Sequence, residues 1–180
     1  RGGTARHDAV VWGYARAADQ RGVDIIQNCE VKSIRTRNGQ VEGVESSRGF
    51  IAAGKVALAL AGSTSLVTSS VGLRLPVESY ALQAFVSEGV KPLIDTVVTF
   101  GAGHFYVSQS DKGGLVFGGD IDSYASYAQR GGLPVIEDVC EAGMALMPMI
   151  GRLRILRMWG GVVDMTMDGS PIIDTTPIQN

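Results

Sequence analysis

What this sequence has little of narrows its function first. It holds two cysteines in 180 residues, Cys29 and Cys140, and neither has a second Cys or a His at metal-ligand spacing, which argues against a zinc site. With no signal-peptide pattern, two thiols fit a reducing cytoplasm, so both read as buried fillers, and a disulfide between them stays open. Long hydrophobic runs are missing as well. The longest, Val56 to Gly62 (VALALAG), falls far short of the roughly 20 residues that cross a bilayer. Charge of one sign is also missing: the 16 Lys and Arg are scattered and the net charge is −2, so there is no basic tract to grip nucleic acid. No Gly-x-Gly-x-x-Gly follows a strand-like segment, and the usual dinucleotide fingerprint is therefore absent. What is present fits a folded chain: 45% hydrophobic and 19% charged residues exclude disorder as the main description. The 24 glycines are nearly twice the usual share of about 7%, and they predict many turns and close backbone approaches.

Periodicity divides the chain in two. Asp8 is placed to cap a helix from about Ala9 to Arg21, with Val10, Val11, Tyr14, Ala15 and Ala18 on one face and Gly22 as the left-handed stop. Val23 to Gln27 reads as a buried strand. Val31 to Thr36 and Val41 to Ser46 flank Asn38-Gly39, the strongest short hairpin signal, and Phe50 to Ala53 completes a meander. Lys55 to Leu60 reads as another buried strand, followed by a short helix capped by Ser63 or Ser65 and ended by Gly72. After Leu75-Pro76 the helices drop out. Ser79 to Glu88, Thr96 to Phe100, His104 to Gln109 and Leu115 to Gly118 predict an antiparallel sheet. A helix runs from Pro134 to Met147, Pro148 stops it, and a strand over 152–166 turns at Asp168-Gly169 onto Pro171-Ile172-Ile173. The expected fold class is α+β: an α/β portion over 1–74, a mainly antiparallel sheet over 75–170, and a return toward the first portion over 171–180. Because the chain opens at Arg1 and closes on Pro-Ile-Gln-Asn with no terminal helix, it reads as an internal portion of something longer.

Several residues could carry chemistry. His7, one of two histidines, sits beside Arg6 and Asp8 just before a helix, where N–H groups attract anions and an imidazole could act as nucleophile or ligand. The ordinary alternative is a surface histidine in a capping loop. Ala61-Gly62 ends an apolar strand, where α/β sheets bind ligands; a packing glycine explains it equally. His104 and Tyr106 lie two apart on one strand and would share a face, lining either a polar pocket or a solvated surface. Asp120 and Asp122 resemble an acid–base pair, but a turn with surface acids is the favoured reading. Trp159-Gly160-Gly161 would let something flat approach, or else Trp159 packs in the core. Arg152, Arg154 and Arg157, with Tyr124 and Tyr127, are candidates for contact with other subunits.

Taken together, RGGTARHDAVVWGY (1–14), GVDIIQNCEV (22–31), GKVALALAG (54–62), LPVESYALQAFVSE (75–88), YVSQSDK (106–112), IDSY (121–124) with Gln129-Arg130-Gly131, and 159–170 resemble the beta subunits of heterotetrameric sarcosine oxidases. These belong to the flavin amine-oxidase superfamily of D-amino-acid oxidase and monomeric sarcosine oxidase. The resemblance implies a Rossmann-like FAD-binding domain, here partial and carrying the meander, joined to an antiparallel-sheet substrate domain. It implies oxidative demethylation of sarcosine to glycine, with formaldehyde or methylene-tetrahydrofolate and hydrogen peroxide as the other products. FAD takes the hydride, and a second flavin, FMN, is linked covalently to the histidine that stands here as His7, with Arg6 beside it. Val31 matches a position whose backbone meets the adenine, and Ala61 and Gly62 match backbone along the pyrophosphate and ribitol. His104 and Tyr106 become candidates for the substrate pocket. No catalytic residue and no metal site is assigned. Partners implied are alpha, gamma and delta subunits, with tetrahydrofolate reached through alpha, in the cytoplasm and away from membrane and nucleic acid. The family's terminal Gly-rich segments lie outside this chain, so the isolated chain is expected to hold no flavin. Related readings are a dimethylglycine, glycine or proline oxidase or dehydrogenase, and a catalytically silent scaffold.

Overall fold

Turn chemistry sets the first sheet. Asn38 and Gly39 both take positive φ, 51° and 78°, the turn whose twist matches that of paired strands. It joins β1 (Val31–Arg37) to β2 (Gln40–Ser46), and β3 (Gly49–Ala52) adds antiparallel to β2 in the order β1-β2-β3. The meander is thus as predicted. The computed structural model describes residues 3–101 and 104–178; the Arg1 and Gly2 of the amino-terminal segment and the closing Gln179-Asn180 lie outside the described residues.

The second sheet holds β4 (Val77–Gly89), β5 (Val98–Phe100), β6 (Phe105–Gln109), β7 (Gly114–Ile121) and β8 (Ile155–Thr166) in the order β5-β6-β7-β4-β8, with every pairing antiparallel. Side chains alternate across the pleat, so Phe85, Leu115, Phe117, Phe105 and Val107 fall on one face. Helix α3 (Leu133–Leu146) covers that face with Val135 and Val139, and Ile150 of the 3-10 turn Pro148–Arg152 completes the core. Phe117 lies 5.7 Å from Phe85 and 6.2 Å from Phe105 between ring centroids. Burying each such side chain contributes about 1.5–3 kcal/mol. Pro134 begins the helix and Pro148 follows its end, as the sequence indicated.

Between β7 and α3 the chain runs on beside β4, with Asp122 N–H donating to Ala81 O (3.0 Å) and Ser126 N–H to Ser79 O (2.7 Å). It then crosses the sheet at Gly160, where a Cβ would stand 2.8 Å from Arg130 O. Gln83, fully buried in β4, holds this loop by donating to Asp122 Oδ1 (2.6 Å) and accepting from Gly132 N–H (2.8 Å). Asp122 is therefore buried and not the surface acid expected beside Asp120.

The amino-terminal part departs more from expectation. Helix α1 spans His7–Asp19, starting ahead of Asp8, and Asp8 bonds only the neighbouring Ala9 N–H (2.9 Å) without capping the helix. Val23 to Gln27 and Lys55 to Leu60 are not strands. An apolar run becomes a strand only where another strand lies beside it to complete the ladder, and none of the described residues does so. Helix α2 (Thr64–Ser69) follows a 3-10 turn at Ala61–Ser63, but neither Ser63 nor Ser65 caps it; Ser65 Oγ donates instead to Val77 O (3.3 Å). Pro171-Ile172-Ile173 leaves the Asp168-Gly169 turn without pairing.

Candidate functional site

The residues singled out by sequence fall into three places. At the start of α1, Arg6 stands at the N-cap with extended backbone, and no side chain caps the helix. The first N–H groups of a helix have no intrahelical acceptor; the Asp8 carboxylate takes that of Ala9, the others are left for an anion, and the exposed Arg6 and His7 stand alongside. Among the described residues no hydrogen bond or ion pair ties either side chain to the sheets, and α1 buries none of its residues.

The second place is the junction of the two sheets. Val31 opens β1 opposite Ser46. Ile34 N–H donates to Ser70 Oγ (3.2 Å), so the segment that carries Ala61 and Gly62 docks on the meander as well as on β4. Ala61 is non-glycine at φ 45°, a left-handed conformation that costs roughly 1–2 kcal/mol and persists only where its surroundings enforce it. Gly62 is buried, and a Cβ there would come within 2.8 Å of Val162 Cβ. Its carbonyl accepts from Ser79 Oγ (3.0 Å), which also lies 3.0 Å from Asp164 Oδ1.

The third place is the sheet face turned away from α3. Register puts Tyr80, Leu82, Ala84 and Val86 of β4 beside Val163, Gly161, Trp159 and Arg157 of β8. Tyr106 of β6 pairs with Gly118 on the same side, and a Cβ at Gly118 would lie 3.1 Å from the Tyr106 hydroxyl oxygen. The ring therefore lies across β7. Burial pushes the Tyr106 phenol above its ordinary value, because the ionised form is poorly solvated there. Trp159 is 45% exposed, so it is no core residue, and Gly161, two along on the same face, has open space over it. An aromatic ring beside an open notch suits a planar group. At Gly160 the close approach is already taken by the chain's own Arg130 backbone.

His104 does not join Tyr106. The strand begins at Phe105, and His104 sits exposed in the preceding turn at φ 45°, which breaks the alternation that would have aligned the pair. Along the sheet's other end an open cleft of about 1110 Å³ is bordered by Arg74, Glu78, Tyr80, Tyr124, Arg130 and Asp138, among others. Tyr80 donates to Glu78 Oε2 (2.8 Å), and that bond, reinforced by the carboxylate's charge, raises its phenol pKa. Both cysteines are free and half-buried; burial pushes the Cys140 thiol up. Among the described residues no group of three or more His, Cys, Asp or Glu could hold a metal ion. Sequence reading missed Ser79, Gln83 and Asp164. The signal was available for two of them: Ser79 and Gln83 are polar residues four apart, on one face of a strand recognised in the sequence.

An antiparallel sheet backed by a helix, joined through a strained turn to a three-stranded meander, defines a class. The chain matches the family FAD dependent oxidoreductase over residues 1–180, and it belongs to that family. Within it, the chain is 72% identical over its whole length to the sarcosine oxidase subunit beta of Rhizobium meliloti (strain 1021), covering 43% of that protein. It is 51% identical over its whole length to the sarcosine oxidase subunit beta of Arthrobacter sp, covering 44% of it. Among solved structures, the L-proline dehydrogenase of P. horikoshii superposes with a TM-score of 0.81 at 26% identity, over 92% of this chain and 46% of that one. The chain thus spans less than half the length of these relatives. The α+β class holds, and no helix among the described residues is long and apolar enough to cross a membrane.

Proposed function

We propose that this chain forms part of the beta subunit of a heterotetrameric sarcosine oxidase. The observation that carries this is the 72% identity over all 180 residues to a subunit of that name. On this reading residues 1–74 contribute to the FAD-binding domain, 75–170 form the substrate domain, and 171–180 return toward the first. FAD, when bound, supplies the acceptor for a hydride from the N-methyl carbon. Val31 and the Ala61-Gly62 turn would hold it: the turn is exposed at Ala61 and fixed from behind by the sheet, as a rigid backbone cradle requires. His7 would be the covalent anchor of FMN, and the uncapped start of α1 with Arg6 would favour its negative charge. The face carrying Tyr106, Trp159 and Gly161 would border sarcosine, with His104 at its margin. Peroxide, formaldehyde or methylene-tetrahydrofolate, and the alpha, gamma and delta partners follow from the same reading, as does a cytoplasmic location. Exposed Arg154 and Tyr127 are candidate subunit contacts.

Assaying the complete complex with sarcosine, dimethylglycine, glycine and proline tests the substrate; equal or greater turnover of proline would favour the second reading, which the L-proline dehydrogenase superposition supports. In the same complex His7→Ala should remove flavin fluorescence from the denatured beta band while FAD stays bound, and persistent fluorescence would move the link elsewhere. The 180-residue chain alone should purify colourless; a flavin spectrum bleached by sarcosine would refute that.

A further inference from the structure

We propose that Ser79 is a positioning residue that fixes the Ala61-Gly62 turn to the substrate-side sheet, so that the direction of the flavin-facing backbone is set by β4 and β8. The proposal rests on the reading of that turn as part of the flavin site. Ser79 is 5% exposed, and its hydroxyl stands 3.0 Å from Gly62 O and 3.0 Å from Asp164 Oδ1. A serine hydroxyl carries one proton. Here that proton faces two acceptors on different elements, one on the turn and one on β8, and so bridges them. Val162, two residues before Asp164, fills the place a Cβ of Gly62 would take. Within the turn the Thr64 hydroxyl donates to Ala61 O (2.7 Å); what ties the turn to the two strands beneath is a hydroxyl that aims the Gly62 carbonyl, a valine that excludes other residues at that position, and the Ser65 bond to Val77 O (3.3 Å). The valine restrains position, whereas the hydroxyl, with the Ser63 N–H bond to Leu60 O (3.1 Å) in the same peptide unit, restrains the rotation of the peptide plane.

Ser87 provides a matched comparison within the same strand. It is 2% exposed and accepts the Leu115 N–H (2.9 Å), but it touches nothing near the turn. In the full-length protein, Ser79→Ala should weaken noncovalent flavin binding about fivefold, the scale of one lost hydrogen bond, while Ser87→Ala lowers the Tm comparably and leaves flavin affinity unchanged. Ser79→Thr, which keeps the hydroxyl, should restore affinity, and Ser79→Cys gives the reduced affinity should the alanine variant not fold. Hydrogen exchange on flavin-free protein supplies a readout independent of activity: Ser79→Ala should speed exchange over residues 61–65 and not over β7. Unchanged exchange over 61–65, or equal losses of flavin affinity in the Ser79 and Ser87 variants, overturns the proposal. The flavin reading fails separately, when added flavin does not protect the 61–65 amides of the unsubstituted protein.

Discussion

Between Val77 and Thr166 each strand finds a neighbour, and Phe85, Phe117 and Leu115 lose nearly all contact with water. In the first 30 residues the apolar side chains stay outside: Val10, Trp12, Ile25 and Ile26 are exposed, and α1 buries nothing. Composition does not separate the two regions, because both carry aliphatic and aromatic residues at regular spacing. What separates them is closure. Antiparallel strands linked by short turns supply one another's hydrogen-bond partners, and α3 covers the resulting face. An isolated helix and an unpaired extended segment have apolar faces but nothing among the described residues to press them against.

The contrast breaks most visibly at the core. Phe117→Ala should cost about 3–5 kcal/mol in denaturant unfolding, whereas Trp12→Ala should stay within roughly 0.5 kcal/mol. Equal losses would mean that α1 is packed in solution. Gln83→Ala leaves Asp122 buried without its donor and Gly132 N–H without its acceptor; a loss of about 1–3 kcal/mol and faster proteolysis within 122–132 are expected, and an uncut loop would show that α3 alone retains it. On the meander, Arg35 pairs with Glu45 and lies 3.9 Å over the Phe50 ring, all near the surface. Arg35→Ala should cost less than about 1 kcal/mol, and less still at high salt; a loss independent of salt would point to the ring contact as the whole of it. The smallest effect concerns Tyr106. Its phenol is raised above its ordinary value, so the folded state keeps its proton longer than the unfolded chain does. Stability from this group is intact below about pH 10 and declines above it. Tyr106→Phe should flatten that alkaline decline, and an ultraviolet titration showing Tyr106 ionising with the exposed tyrosines would contradict the burial.

The same closure explains what could be read in advance. Asn38-Gly39, the alternation through β4 and the bracketing of α3 by Pro134 and Pro148 are local signals with local consequences, so the meander, the antiparallel sheet and its helix were legible. Val23 to Gln27 and Lys55 to Leu60 were not, because strand identity is completed by a neighbour that the segment does not encode. The site shows the same divide. Arg6 and His7 stand out by their place before a helix and by resemblance to flavin enzymes, and Tyr106 by its strand. His104 was misplaced because left-handed backbone at a histidine leaves no mark in composition, while Ser79 acquires its partners only when β8 and the Gly62 turn, far apart in the chain, meet beside it.

Strand β4 carries a further consequence. Its inward polar residues, Ser79, Gln83 and Ser87, recur every four positions, and each engages a different partner: the Gly62 turn, the loop before α3, and the Leu115 amide of β7. Sliding β4 by two residues would keep the same face inward but set Gln83 or Ser87 where Phe85 packs, so the apolar and the polar inward residues oppose a mispaired sheet together. The three polar side chains would all lose their partners at once, each at a cost of about 1–3 kcal/mol. They act as a vernier on the central strand, making one alignment of this sheet far better than its near copies during assembly.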